Sequence, residues 1–188
     1  MIRTLLIAPP MTEAQAEEWV SAEELAQSRT FGSARRRCEY LTWRALVRRT
    51  LGADVQITYN AVGAPVIANR EVFISVAHCA ERVAVCLSDA PCAVDIETEN
   101  RNFTRVTSRY MSFTEQRLSA NPLLAAAVWC AKEALYKFAG REGLDFVRDL
   151  HVEQVDFVAG RLVGRIENGE ALELSIRRDG GCIAVYIL

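Results

Sequence analysis

No two cysteines stand in a C-x-x-C arrangement, and the 188-residue chain has only two histidines, His78 and His151. A Cys/His zinc site therefore lacks both its usual spacing and its imidazoles. The six cysteines (Cys38, Cys79, Cys86, Cys92, Cys130 and Cys182) lie mostly among apolar neighbours, where a free thiol packs as a small hydrophobe. That usage fits a reducing cytosol better than a disulfide framework. An excess of one charge is missing too. With 22 Lys and Arg against 24 Asp and Glu, the net charge is −2, which excludes bulk binding to a phosphate backbone as the main activity. The uncharged apolar run over residues 118–131 is too short for a membrane span and contains Pro122. The apolar N-terminal run is too short for a secretory signal. Gly/Ser-rich linkers and close repeats are absent. The expectation is an ordinary soluble, cytoplasmic chain with enough length for a sizeable core.

What is present changes period along the chain. Residues 4–8 read as a strand stopped by Pro9 and Pro10. Thr12 caps a helix expected to run to about residue 28, and a second, arginine-rich helix spans 33–51 and closes at Gly52. Alternation then predicts strands at 55–59, 72–76, 83–87 and 93–97. Helical signals return at 103–111 and 114–118 and are strongest over 122–139, with Gly140 at the end. Strands at 152–157, 161–167, 171–177 and 183–188 close the chain, with Asn168-Gly169 as a hairpin turn. Helices followed by strands thus occur twice. The fold class expected is α+β, in two halves, residues 1–90 and 91–188, each with a small, mostly antiparallel sheet packed on helices. Ligands favour such internal interfaces.

Three clusters carry chemistry. In Ala93-Val94-Asp95-Ile96-Glu97, residues two apart on a strand share a face, so Asp95 and Glu97 project together, their Cα atoms roughly 6.5 Å apart. Two carboxylates at that spacing suit one hard cation, but taken alone the pattern is more often a solvated strand face. In Trp129-Cys130-Ala131-Lys132-Glu133-Ala134-Leu135-Tyr136-Lys137, Glu133 and Lys137 share one helix face. Such a pair is most often a surface ion pair, but this helix is apolar on several sides, so its charges need partners. His78, in Ser75-Val76-Ala77-His78-Cys79, falls where a strand meets a turn and offers an imidazole either to an anion or to the structure.

In order and spacing these blocks resemble the 4′-phosphopantetheinyl transferases, in particular the longer surfactin-type members with two pseudo-equivalent halves. The resemblance runs from about Phe31 to Gly140. Arg37-Cys38-Glu39-Tyr40-Leu41-Thr42-Trp43-Arg44 looks like the family's R-x-E-x-L-x-x-R helix, and Gly63-Ala64-Pro65 like its G-K-P turn. Ser75 to Cys79 resembles S-x-S-H-S, and Ala93 to Glu97 resembles G-V-D-x-E. Met111-Ser112-Phe113-Thr114-Glu115 is similar to F-S-x-x-E, and the W-x-x-K-E-A-x-x-K helix is intact.

The resemblance implies transfer of the phosphopantetheine arm of coenzyme A to a serine of an apo acyl or peptidyl carrier protein, with Mg²⁺, releasing adenosine 3′,5′-bisphosphate. It implies that Asp95, Glu97 and Glu133 hold the metal and that Glu115 or Glu133 is the base. Lys137 would meet the leaving-group oxygen, and Lys132 a phosphate or an acid. Arg37, Arg44, His78 and Lys137 would hold the phosphates of coenzyme A, and two halves in one chain would make a monomer. The departures are Ala64 for lysine, Ala77 and Cys79 for serines, and Ala93 for glycine; Arg36 or Arg48 would have to replace the lost lysine. Two other readings remain open: a coenzyme A- or carrier-binding homologue without turnover, and a metal-dependent phosphohydrolase.

Overall fold

Two capping boxes break the first expected helix. Thr12 and Gln15 bond each other's backbone at the start of α1 (Glu13–Ala16), which tightens into a 3-10 turn over Glu17–Trp19. Ser21 and Glu24 then repeat the device and start α2 (Ala22–Arg29). The computed structural model describes every residue of the chain except Thr104. Strand β1 (Arg3–Ala8) precedes these helices, and α3 (Ala34–Leu51) follows them, capped by the Ser33 hydroxyl and ended by Gly52 at φ 112°. A short hairpin of β2 (Ile57–Tyr59) and β3 (Pro65–Ile67) leads into β4 (Phe73–His78) and β5 (Val83–Ser88). The β3 segment was not expected, because three residues starting at a proline are too few to show a period.

The second part begins with β6 (Ala93–Thr98) and contains α4 (Leu124–Ala139). Between them the expected helix at 103–111 is only a 3-10 turn at Thr107–Arg109 among the described residues, Thr104 lying outside them. The expected helix at 114–118 shrinks to Glu115–Arg117. Helix α4 starts later than Pro122 and stops at Gly140, whose left-handed φ of 63° a side chain would oppose. Strands β7 (Leu150–Asp156), β8 (Arg161–Ile166), β9 (Ala171–Asp179) and β10 (Cys182–Ile187) form the meander. At the β8–β9 turn the left-handed residue is Glu167 (φ 51°), held by its N–H on the Asp149 carbonyl, rather than Asn168 or Gly169.

The sheet orders are β1-β5-β4 and β6-β10-β9-β8-β7, all antiparallel. In both, the first strand pairs with the last, and the last with the one before it. Helix α3 covers one face of the first sheet through Trp43 and Val47 on Val83, Val85 and Leu87. Helix α4 covers one face of the second through Ala127, Ala131, Ala134 and Leu135 on Leu150, Leu162, Leu174, Ile183 and Val185. The approach is close enough that a Cβ on Gly164 of β8 would meet Leu135 at 2.9 Å. The remaining alternate positions are small: Ala77, Cys79, Ala84 and Cys86 pack with Val94, Ile96, Cys182 and Ala184. Both faces of β5 are therefore buried, which explains its unbroken apolar run.

Strands β4 and β6 lie at the seam between the sheets. There the Ser75 hydroxyl accepts the Val94 N–H at 3.1 Å. Ser75→Ala leaves that buried donor unpaired and is expected to lower unfolding free energy by about 1–3 kcal/mol, read from a urea transition.

Candidate active site

Asp95 and Glu97 project from the same face of β6, as the alternation requires, and α4 brings Lys137 across to them. The Lys137 ammonium donates to Asp95 Oδ1 at 2.8 Å and to the Val94 carbonyl at 2.9 Å. Glu97 accepts the Thr98 N–H at 2.8 Å and pairs with Arg101, whose guanidinium also lies 5.0 and 5.2 Å from the ring centroids of Phe103 and Trp129. Glu133, one turn before Lys137, is half-buried, and its carboxylate has no hydrogen bond or ion pair among the described residues. Burial pushes the Glu133 carboxyl above its ordinary range, and the neighbouring Asp95 charge pushes it the same way. Asp95 is likewise raised by burial, with Lys137 opposing.

Opposite these acids stands the start of α3. Glu39, 4% exposed, accepts Arg35 Nε on one oxygen at 2.6 Å and faces His78 Nδ1 with the other at 3.3 Å. Burial lowers the His78 pKa below its ordinary value; Glu39 opposes, while Arg35, Arg36 and Lys137 lower it further. The field at His78 thus joins residues from both parts of the chain. A cleft of about 1090 Å³ opens nearby, with Ala64, Ser75 and Val76 on one wall and Tyr136, Lys137 and Phe138 on the other. Lys137 links cleft and acids.

A divalent cation is tested by the donors present. Asp95, Glu97 and Glu133 are all hard oxygen donors, and the unpartnered, half-buried charge of Glu133 beside Asp95 is what a cation relieves. The residues fit such an ion by chemistry, while among the described residues no three His, Cys, Asp or Glu side chains are gathered closely enough to hold one. Two of the carboxylates are engaged instead by Lys137 and Arg101.

Several expected site residues lie elsewhere. Glu115 and Lys132 form a buried pair: Lys132 is fully buried, and its ammonium donates to Glu115 and to the Phe146 carbonyl at 2.7 Å. Glu115 also accepts the N–H groups of Ser112 at 2.7 Å and Val152 at 2.8 Å. A carboxylate with its oxygens committed to these donors and 3% exposed has no free face for an incoming hydroxyl. This pair ties the 112–117 turn to α4 and β7. Arg44 is 3% exposed, with its guanidinium 3.5 Å from the Tyr40 ring centroid and 3.9 Å from that of Trp43, and bonded to Glu24 and Tyr59. Arg48 shares Glu24 with it at 2.6 Å, so neither arginine faces a phosphate. Arg37 turns back to the Phe31 carbonyl at 2.7 Å, and Arg36 stays exposed. Arg35, Glu39, Ser75 and Arg101 were missed. Arg101 follows Glu97 by four residues outside any helix, so no periodic signal marks it.

Residues 91–179, just under half of the chain, match the family model of the 4′-phosphopantetheinyl transferase superfamily. No curated protein matches the chain significantly. The α+β architecture with small antiparallel sheets packed on helices agrees with that superfamily's fold. No helix of the described residues is long and apolar enough to cross a membrane.

Two outcomes test this geometry. Glu115→Ala leaves Lys132 buried without its counter-charge and is expected to cost about 3–5 kcal/mol of stability in denaturant titration, with strong coupling to Lys132→Met in a double-mutant cycle. His78 is less basic folded than unfolded, so the folded state loses stability as pH falls from about 6.5 through the lowered value. His78→Gln removes that part of the acid dependence, read from Tm against pH.

Proposed function

We propose that the chain transfers the 4′-phosphopantetheine group of coenzyme A to a serine hydroxyl of an apo acyl or peptidyl carrier protein, releasing adenosine 3′,5′-bisphosphate. The match over residues 91–179 supports phosphopantetheinyl transfer in general. The observation that carries the specific reading is the Lys137 ammonium, bonded to Asp95 within one turn of an unpartnered Glu133, at the wall of a large cleft. The proposal includes the division into residues 1–90 and 91–188 with the reaction between them, which the repeated strand order supports.

Asp95, Glu97 and Glu133 would hold Mg²⁺, which when bound supplies neutralisation of the diphosphate charge as phosphorus is attacked. The chain's own residues do the rest by positioning and electrostatics. Arg35, Arg36 and His78 present positive or proton-donating groups to the phosphates from the α3 side, in place of the buried Arg44. Lys137 moves from Asp95 to the leaving-group oxygen and stabilises its developing charge. With Glu115 sealed in its pair, the serine proton goes to Glu133, directly or through one water. Because Arg48 is committed to Glu24, exposed Arg36 is the residue that offsets Ala64.

The test incubates the protein with coenzyme A, Mg²⁺ and a panel of apo-carriers and reads carrier mass. The expected outcome is a gain of one phosphopantetheine group that a chelator abolishes. Lys137→Ala and Glu133→Gln are each expected to lower kcat about 10²–10³-fold with the fold retained. Coenzyme A bound by folded protein without transfer to any carrier establishes the non-catalytic reading instead. Release of phosphopantetheine without a carrier establishes a hydrolase.

A further inference from the structure

Cys79, just past the end of β4, and Cys182, the first residue of β10, are 103 positions apart, yet their Sγ atoms lie 3.4 Å from each other. Both are buried, at 3% and 0% exposure, within the small-residue core where the two sheets meet. The flanking turns are tied by the Arg82–Asp179 ion pair at 2.8 Å, so the two strand ends are held in register. The other buried thiols, Cys86 and Cys130, point at the carbonyls of Ala93 and Ile183.

We infer that Cys79 and Cys182 are a modification site: a dithiol that oxidises to a disulfide stapling the first sheet to the second. The Sγ atoms stand 3.4 Å apart and must close to the roughly 2 Å of an S–S bond. A low-molecular-weight disulfide such as oxidised glutathione is the oxidant. Local opening of the chain just past β4 exposes Cys79, whose thiolate attacks one sulfur of the oxidant and expels one glutathione thiolate. The Cys182 thiolate then attacks the Cys79 sulfur of the mixed disulfide and expels the second. Two protein thiols lose two electrons and two protons, and two reduced glutathione molecules carry them. Burial and the adjacent Cys79 push the Cys182 thiol up to about 12, so the exchange is slow and the product is shielded from reductants.

The test equilibrates folded protein overnight with oxidised glutathione and compares intact mass, tryptic peptides and Tm before and after. Trypsin leaves each cysteine in a peptide with no other, residues 71–82 and 179–188. Expected are a loss of about 2 Da, a linked pair of those two peptides, and a Tm raised by several degrees, because the link closes a long loop in the unfolded chain. The Tm rise is absent from Cys79→Ala and from Cys182→Ala. Glutathione adducts alone, an unchanged mass, a link between other cysteines, or a linked protein with unchanged Tm each overturn the inference.

Discussion

The peptide group of Val94 is where the molecule is joined. On the edge of β6 that faces β4, its N–H goes to the Ser75 hydroxyl and its carbonyl to the Lys137 ammonium. Both groups would be buried orphans without those partners, because β6 has no strand hydrogen-bonded on that side. Side chains from β4 and α4 therefore replace a missing strand. The consequence is positional: the next residue, Asp95, is presented to Lys137, and the cleft opens along the same seam.

Around that seam the charges are balanced in a particular way. Carboxylates come from β6, α3 and α4, cations from α3, the segment after β6 and the end of α4, and each of these acids but Glu133 already has a partner among the described residues. The exception matters most, since burial and Asp95 both disfavour its charge. The site thus carries one surplus half-buried carboxylate beside the Lys137 ammonium. The pairs Lys137–Asp95 and Arg101–Glu97 neutralise the other two acids.

Elsewhere the chain uses the same residue types for structure. Glu24 caps α2 and also binds Arg44 and Arg48, fixing the helices before α3 onto it. Lys132 and Glu115 do the equivalent for the 112–117 turn, which has almost no regular secondary structure of its own to hold it. In both cases a buried charge is tolerable because its hydrogen bonds are filled by more than one donor or acceptor. An arginine or lysine in a motif-like block is therefore no indication by itself of a ligand contact. Its burial decides.

Much of the architecture was already in the one-dimensional pattern. The period-2 runs placed β1, β4 to β6 and the closing meander, and the alternation placed Asp95 and Glu97 on one face. The spacing within α4 put Glu133 and Lys137 together, because all of these depend on the local geometry of a strand or a helix. The Ser21–Glu24 capping box that splits the first expected helix was not read from the sequence, because the helical pattern runs on across it. Tertiary structure alone decided what meets across the chain: Arg35 and Glu39 with His78, Ser75 with Val94, Cys79 with Cys182. It also decided that Glu115, Lys132, Arg44 and Arg48 are sealed away while Glu133 and Arg36 are not. Spacing fixes the direction of a side chain relative to its own backbone; the packing of distant segments fixes whether that direction leads to solvent, to a partner or to a ligand.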